Sequence, residues 1–344
     1  MDFSFVLVTW YEEHKRDLPW RRTLNPYKIW LSEIILQQTR VAQGLPYYNN
    51  FLTAFPTITD LALATEDEVL KLWQGLGYYS RARNLHFSAR FIAKNYNGVF
   101  PTKYDDILSL KGVGVYTAAA IASFSKNLPY AVVDGNVIRV LSRIFGISVP
   151  FDTSIGKKEF QKLAQKLLSL ENPGLHNQAI MEFGALQCVS KSPNCNSCVF
   201  LEDCVAFNEN NVQDFPVKSR TVKVKNRFLN YFVVNYNDGL FIKKRKAGIW
   251  NGLYEFPVLE FPVNLPHREV IESLEFNSLF KSSDIKISKV SLEFIHNLSH
   301  QKLHVKFWEI YSDITEIDDY KYIKKSSLKM YPVSRLIERY IQST

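Results

Sequence analysis

The chain has no long hydrophobic run. None of its apolar stretches approaches the ~20 residues that a membrane-spanning helix requires, which excludes a helical transmembrane protein. The first residues also lack the pattern of an export signal, since Asp2 comes early and no basic flank precedes an apolar segment. From these absences we expect a soluble, intracellular protein located in the cytoplasm.

Acidic residues are fewer than basic residues. The 344 residues include 42 Lys and Arg against 34 Asp and Glu, which gives a net charge of +8. Phe, Trp and Tyr make up 14% of the chain. Cations that meet phosphates and aromatic faces that stack on bases favour a nucleic acid as the partner. The length predicts two domains.

Cysteine is rare. The chain has only four, and they lie in one short segment with the spacing C-x6-C-x2-C-x5-C: Cys188, Cys195, Cys198 and Cys204. A reducing compartment disfavours disulfides, and four thiolates suit either Zn²⁺ or an iron–sulfur centre. Zinc ribbons and fingers usually pair two CxxC knuckles, whereas this segment has one. The spacing therefore favours a [4Fe–4S] cluster, with a zinc site or four buried thiols as the alternatives.

The periodicity of apolar residues changes along the chain. Up to about residue 207 they recur three and four apart, which indicates helices separated by Pro and Gly breakers. From about Arg227 they alternate, as in Phe228 to Tyr236 and Leu303 to Tyr311, which indicates strands. The triplet Asn237-Asp238-Gly239 is typical of a hairpin turn. Two helices are predicted among the strands, at about 267–280 and 333–342.

These patterns predict a multidomain protein with three parts. An all-α domain covers 1–207 and includes the cysteine loop 188–204. A polar and then basic stretch at 208–225 indicates a linker. An α+β domain covers 226–344.

Two glycines, Gly112 and Gly114, stand between two predicted helices in "LKGVGVYTAAA". Glycine permits a tight turn that leaves backbone N–H groups exposed. At the N-terminus of the following helix such groups can hold a phosphate without a side chain, which would bind DNA independently of its sequence. An ordinary helical hairpin turn is the alternative.

Asp134 precedes an amphipathic helix in "VVDGNVIRVLSRIFG", where it occupies the N-cap position. A capping Asp accepts backbone N–H bonds, which stabilise its ionised form. Caps are common, so a role limited to capping is the alternative for this residue.

Glu33 is the second carboxyl group of interest, because the helix around it is almost wholly apolar in "YKIWLSEIILQQT". Such surroundings predict a raised pKa. One protonated and one ionised carboxyl group are what cleavage of a glycosidic bond needs, since an acid neutralises the leaving group and an anion meets the positive charge on the sugar. A buried ion pair with Arg21 or Arg22 is the alternative for Glu33.

Several motifs together resemble those of the adenine-specific mismatch DNA glycosylases, the MutY family of the helix-hairpin-helix, iron–sulfur superfamily that also includes endonuclease III. They are "LSEIILQQT", "WQGLGYYSRARNL", "KGVGVYTAAAI", "VVDGNV" and "GALQC" before the cysteine loop. In the second half, "AGIWNGLYEFP" and "HNLSH" are similar to the Nudix-related domain of that family. The resemblance covers nearly the whole chain. It implies a helical glycosylase domain, consisting of a six-helix barrel and a cluster module, followed by a Nudix-like domain that recognises 8-oxoguanine.

The resemblance implies roles for the residues of the active site. Glu33 would protonate the flipped adenine at N7 and then help to activate water, and Asp134 would stabilise the cationic sugar, electrostatically or through a transient covalent adduct. Tyr116 and Asn136 would orient these groups. In endonuclease III the position of Tyr116 holds a lysine that forms a Schiff base, which tyrosine cannot do. The resemblance therefore implies a monofunctional glycosylase that leaves an abasic site.

Further positions match the family's contacts with DNA and the lesion. The partner implied is double-stranded DNA with adenine opposite 8-oxoguanine or guanine, bound by a monomer. A flipped adenine costs a few kcal/mol of unstacking, which inserted side chains offset. The matching positions are Gln38, Thr39, Leu76, Tyr78, Gln178, Ser299 and His300.

Some positions depart from the family pattern. Lys111 stands where the hairpin usually has proline, Leu298 replaces the aromatic residue of an F-S-H tip, and Ile138 stands where some members have lysine. The acidic cluster of a Nudix box is missing, so we expect no nucleotide hydrolysis. Two other functions stay open: an endonuclease III-like bifunctional enzyme and a catalytically silent DNA-binding module.

Overall fold

Two compact units make up the fold of this computed structural model, which describes residues 2–219, 224–281 and 284–343. The first unit comprises Met1–Leu63 and Asn84–Thr221, and the second comprises Ala64–Arg83 and Val222–Thr344. The predicted fold class is confirmed, since the first unit is helical and the second combines a mixed sheet with helices.

Twelve helices precede the first strand in the described residues. They are α1 (Phe3–His14), α2 (Pro26–Leu36), α3 (Val41–Ala54), α4 (Ile58–Leu63), α5 (Glu66–Leu72), α6 (Ser80–Asn95), α7 (Tyr104–Leu108), α8 (Val115–Lys126), α9 (Gly135–Phe145), α10 (Ser154–Leu167), α11 (Pro173–Leu186) and α12 (Val205–Asn208). Short 3₁₀ turns lie at Pro19–Arg21, Cys195–Ser197 and Val212–Asp214. Helix α5 and the start of α6 belong to the second unit.

Local signals set the helix ends that matter for the site. The Asn25 side chain accepts hydrogen bonds from the first turn of α2, and Pro26 starts that helix with a preset φ. Asp134 caps α9, as predicted, and Gly146 ends it with a left-handed φ of 64°. The apolar face of α9 joins α1 and α11 in the buried core, where Val137, Val140 and Phe183 are fully buried.

The second unit is built on an eight-stranded mixed sheet. Its strands are β1 (Lys225–Tyr236), β2 (Gly239–Lys244), β3 (Tyr254–Glu255), β4 (Val258–Phe261), β5 (Ile285–Val290), β6 (Phe294–Asn297), β7 (Gln301–Ser312) and β8 (Lys321–Lys324). The path β3-β2-β1-β7-β5 forms its centre, while β4 pairs with β1, β6 with β7 and β8 with β2. Only β1 and β7 run parallel among the described pairs.

Alternation along β1 gives the sheet two buried faces. Tyr231 and Val233 pack on the face that α15 (Arg335–Ser343) covers, and Phe232 and Val234 pack on the face that α13 (His267–Glu272) and α14 (Leu274–Phe280) cover. The prediction of one helix at 267–280 was wrong in detail. Ser273 interrupts it in an extended conformation and caps α14 with its side chain.

The segment 64–83 lies in the second unit, although its helical periodicity predicted that it belongs to the helical domain. Specific contacts hold it there: Lys244 Nζ lies 2.7 Å from an Asp67 carboxylate oxygen, and Gln74 Nε2 donates to Glu338 Oε1 at 2.8 Å. Periodicity along the chain carries no information about such contacts. Part of the predicted linker, residues 220–223, lies outside the described residues.

Candidate active site

Glu33 lies on α2 with 7% of its surface exposed. Burial raises its pKa to about 7, against the opposing effect of a hydrogen bond that Tyr116 Oη donates to Glu33 Oε2 at 2.8 Å. The predicted rise in pKa is thus confirmed. The alternative ion pairs are not formed, because Arg21 binds Glu182 and Arg22 binds Asp17 instead.

Asp134 presents its carboxylate to the same pocket. Its Oδ1 accepts the Val137 N–H at 2.8 Å and its Oδ2 accepts a bond from Asn136 Nδ2 at 3.0 Å. These bonds favour the ionised form, as expected from the sequence. Burial nevertheless outweighs them and raises the pKa of Asp134. The sequence pattern predicts the capping bonds of this carboxyl group but carries no signal of its burial.

Tyr116 stands on the first turn of α8 and bridges to Glu33. Its hydroxyl also lies 3.9 Å from Met181 Sδ. Burial, reinforced by the negative charge of Glu33, raises the pKa of Tyr116 well above its usual value. The side chain therefore acts as a hydrogen-bond donor and stays protonated.

A pocket with an empty volume of about 800 Å³, its open mouth included, brings many of the predicted residues together. Glu33, Tyr116, Asp134, Asn136, Thr39 and Gln178 line it. Gln178 is held in place because Tyr11 Oη donates to its Oε1 at 2.9 Å. The predicted residues thus bring two carboxyl groups, a phenol and two amides into one concave site of the first unit.

A third carboxylate lines this pocket, that of Glu182 on α11, which was not among the predicted site residues. Arg16 Nη2 and Arg21 Nη2 each donate to Glu182 Oε2 at 2.6 Å. Burial opposes the ionisation of Glu182, but the bonds from both arginines outweigh it and lower its pKa to about 2. A sequence signal existed, since Glu182 is a single charge between apolar neighbours in "AIMEFGAL".

The glycine hairpin precedes α8. Gly112 has a φ of 84°, and a Cβ there would approach Asn84 Cβ to 2.8 Å, so the fold itself requires glycine. Gly114 is the N-cap of α8 with a φ of −98°, and no atom lies within 4 Å of a Cβ built on it. The fold does not require glycine at 114, whereas an open surface over the helix N-terminus suits the close approach of another molecule's phosphate.

Other predicted residues lie elsewhere. Gln38 is exposed just beyond α2 with a φ of 54°. In the second unit Leu76 is 5% exposed, while Tyr78 is 49% exposed. Tyr78 Oη lies 2.8 Å from Ser299 Oγ in the turn between β6 and β7. His300 is exposed in that turn.

The four cysteines line one cavity, with an empty volume of about 380 Å³, together with Arg143. Arg143 Nη1 donates to Cys188 Sγ at 3.5 Å and to the Val189 carbonyl at 2.8 Å. Within residues 2–219, 224–281 and 284–343, no three His, Cys, Asp or Glu side chains lie close enough to hold a single metal ion.

A chain of hydrogen bonds connects Asp134 with the cysteine loop. Asn136 binds Asp134, and Arg139 Nη2 donates to Asn136 Oδ1 at 2.9 Å. Arg139 Nε then donates to the Cys188 carbonyl at 2.7 Å. The backbone of the first cysteine is therefore joined to the pocket through two side chains.

Across the described part of the chain, no helix is both long and apolar enough to span a membrane.

Comparisons with known proteins match both halves of the chain. Residues 31–169 match the family model of HhH-GPD superfamily base excision DNA repair proteins, and residues 230–343 match that of the NUDIX domain. The adenine DNA glycosylase of Buchnera aphidicola subsp. Schizaphis graminum is 35% identical over 312 residues, which cover 88% of this chain and 86% of that protein.

Two solved structures are similar to the chain. A thermostable thymine-DNA glycosylase has 30% identity and a TM-score of 0.56, over 60% of this chain and 95% of that chain. A non-covalent endonuclease III–DNA complex has 23% identity and a TM-score of 0.52, over 60% of this chain and 95% of that chain, which shows a shared fold.

Proposed function

The chain belongs to the adenine DNA glycosylases, base excision repair enzymes that hydrolyse N-glycosyl bonds, and we propose that it removes adenine mispaired with 8-oxoguanine or guanine. The observation that carries this proposal is the pocket of the first unit, where Glu33 and Asp134 line one concave surface. DNA is the substrate polymer. The enzyme works as a monomer in association with the nucleoid.

Glu33 is the general acid of the proposed reaction. Because burial raises its pKa to about 7, a large fraction of this carboxyl group carries a proton at neutral pH. The proton passes to N7 of the flipped adenine, the C1′–N9 bond breaks, and its electron pair leaves with the base. Glu182 cannot take this role, because two arginines hold its pKa at about 2.

Asp134 and water complete the reaction. The Asp134 carboxylate faces the positive charge that develops on the sugar as the bond breaks. Glu33, now ionised, accepts a proton from water while the oxygen bonds to C1′. The products are free adenine and an abasic site, and Glu33 regains its proton. Tyr116 keeps Glu33 oriented through its 2.8 Å hydrogen bond.

The hairpin supports binding of the DNA backbone. The open N-terminus of α8 at Gly114 offers backbone N–H groups to a phosphate, and Lys111 adds an exposed cation nearby. Gln38 and Thr39 follow α2, where Thr39 lines the pocket. We assign these positions to contacts with the DNA around the lesion.

The second unit supplies the residues that recognise the base opposite adenine. Tyr78 and Ser299 share a hydrogen bond at 2.8 Å, and His300 is exposed beside Ser299. A phenol and a hydroxyl at one exposed site suit stacking on a base and bonding to its edge. Leu76 is buried when no DNA is bound. Its insertion next to the lesion would therefore require the loop around Leu76 to open.

Strand analysis tests the proposed function. Duplexes with adenine opposite 8-oxoguanine, adenine opposite guanine, or thymine glycol are incubated with the protein and analysed before and after alkali. Cleavage at adenine that appears only after alkali is expected, because Tyr116 provides no amine for a Schiff base. Nicking before alkali would contradict the monofunctional assignment, and action on thymine glycol would favour the endonuclease III-like alternative.

A [4Fe–4S] cluster fits the cysteine cavity. Four thiols line one space, and the buried Arg143 places positive charge beside the Cys188 sulfur, which suits an anionic centre. Cys188, Cys195, Cys198 and Cys204 would hold the cluster, which would supply structural support for the loop when bound. The Arg139 connection would pass this support on to Asp134.

Purified protein is expected to absorb near 400 nm, and removal of iron by chelation should abolish that band together with DNA affinity. The physical reason is that bonds from the four cysteine thiolates to iron would fix the shape of the loop 188–204. Absorbance and DNA binding are measured on the same sample, with a mock-treated sample as control. A colourless protein that contains zinc would contradict the cluster assignment and leave the glycosylase assignment intact.

A further inference from the structure

The loop that carries Tyr78 has a backbone that few sequences adopt. Gly75 and Gly77 have φ values of 92° and 81°, and Tyr78 itself has a φ of 48°. A positive φ is unfavourable for a bulky side chain, so surrounding contacts must hold Tyr78 in this conformation. Such strain is found mainly at functional sites.

Arg81 supplies several of these contacts from the first turn of α6. Its backbone N–H donates to the Tyr78 carbonyl at 2.9 Å, and its Nη2 donates to the Gly77 carbonyl at 3.1 Å. The Trp73 indole N–H donates to the same Gly77 carbonyl at 2.9 Å. Two donors thus converge on the peptide that precedes Tyr78.

The guanidinium of Arg81 also contacts two aromatic rings. Its central carbon lies 5.0 Å from the Trp73 ring and 5.5 Å from the Tyr78 ring. Arg81 is only 8% exposed, while Tyr78 is 49% exposed. A buried planar cation therefore supports an exposed aromatic ring, and its attraction to both rings is strengthened by the loss of water.

We infer that Arg81 is a positioning residue that fixes Tyr78 beside Ser299 and thereby sets the enzyme's discrimination between bases opposite adenine. The inference rests on the proposed function, because it assigns Tyr78 to the base opposite adenine. Arg81 itself is buried under Tyr78 and acts through that ring.

The experiment compares single-turnover rate constants on duplexes with adenine opposite 8-oxoguanine and adenine opposite guanine. Arg81→Gln should lower the ratio of the two rate constants by about tenfold, the scale of a desolvated cation–π contact. Arg81→Lys should lower it less, since it keeps the charge but loses the planar group. Arg90→Gln is the matched control, because Arg90 is exposed on the same helix.

A double-mutant cycle separates positioning from a general loss of structure. In a Tyr78→Leu background, Arg81→Gln should cause no further fall in the ratio, because the ring through which Arg81 acts is gone. An equal fall in both backgrounds would overturn the inference, as would a wild-type ratio in both Arg81 variants. Should Arg81→Gln fail to fold, Arg81→Lys carries the same comparisons. If the wild-type protein releases no adenine from either duplex, the proposed function fails; if it does, an unchanged ratio refutes only the role of Arg81.

Discussion

Replacing Glu33 with glutamine is expected to slow adenine release by about a thousandfold or more, the upper range for loss of a general acid–base group. Glutamine has the same shape and can still accept the Tyr116 hydrogen bond, but it has no proton to give to the base. DNA affinity should stay within a few-fold of wild type. Single-turnover rates and equilibrium binding measure the two quantities separately.

The same substitution should stabilise the fold at alkaline pH. The pKa of Glu33 rises from 4.5 to about 7 on folding, so the folded state holds its proton more tightly than the unfolded state. Stability from this group is fully present below pH 4.5 and is lost as the pH rises through about 7. This rise in pKa corresponds to about 3 kcal/mol of unfolding free energy, which Glu33→Gln should recover at pH 8.

Glu13→Gln is the control, because Glu13 is an exposed glutamate on α1 outside the pocket. It should leave both the rate and the melting temperature unchanged. Full activity in Glu33→Gln would refute the assignment of the acid. Lost activity with lost DNA binding would instead point to a misfolded site.

Replacing Asp134 with asparagine should also lower the excision rate by about a thousandfold, as expected for the loss of a charge aimed at the transition state. Asparagine caps a helix nearly as well as aspartate, so the cap on Val137 N–H should persist and α9 should stay folded. Single-turnover rates and thermal unfolding are measured together. A large loss of rate without a fall in melting temperature is the expected result.

Asp2→Asn is the matched control for this experiment. Asp2 caps α1 through bonds from Ser4 N–H and Phe5 N–H, but it does not line the pocket. It should change neither rate nor stability appreciably. If Asp134→Asn behaved like Asp2→Asn, Asp134 would be a cap alone, which is the alternative that its sequence pattern leaves open.

The sequence predicted much of the fold because its signals were local. Periodicity separated the helices from the strands, and the pair Asn237-Asp238 marked the turn that joins β1 to β2. The cap at Asp134 and the apolar helix around Glu33 were also visible in the sequence. The grouping of 64–83 with the second unit was not, since it depends on contacts such as Gln74 with Glu338.

The protonation states of the buried carboxyl groups in the candidate site were less predictable. Glu182 was visible in the sequence as a single charge among apolar neighbours, but its ionised state follows only from Arg16 and Arg21, which converge on it from a distant segment. The pKa of Asp134 depends on a balance between its cap bonds and its burial, and a motif gives only the first of these. The raised pKa of Glu33 was predictable because the apolar sequence around it marks α2 as a buried helix, and burial is the largest cause of the rise.

The pH dependence of single-turnover adenine release tests the role of Glu33 most directly. Because the protonated form of Glu33 is the acid and its pKa is about 7, the rate constant should fall tenfold per pH unit above about pH 7. The residual rate of Glu33→Gln should not change over the same range. A wild-type rate constant that stayed level or rose between pH 7 and pH 9, on a duplex with adenine opposite 8-oxoguanine, would contradict the account.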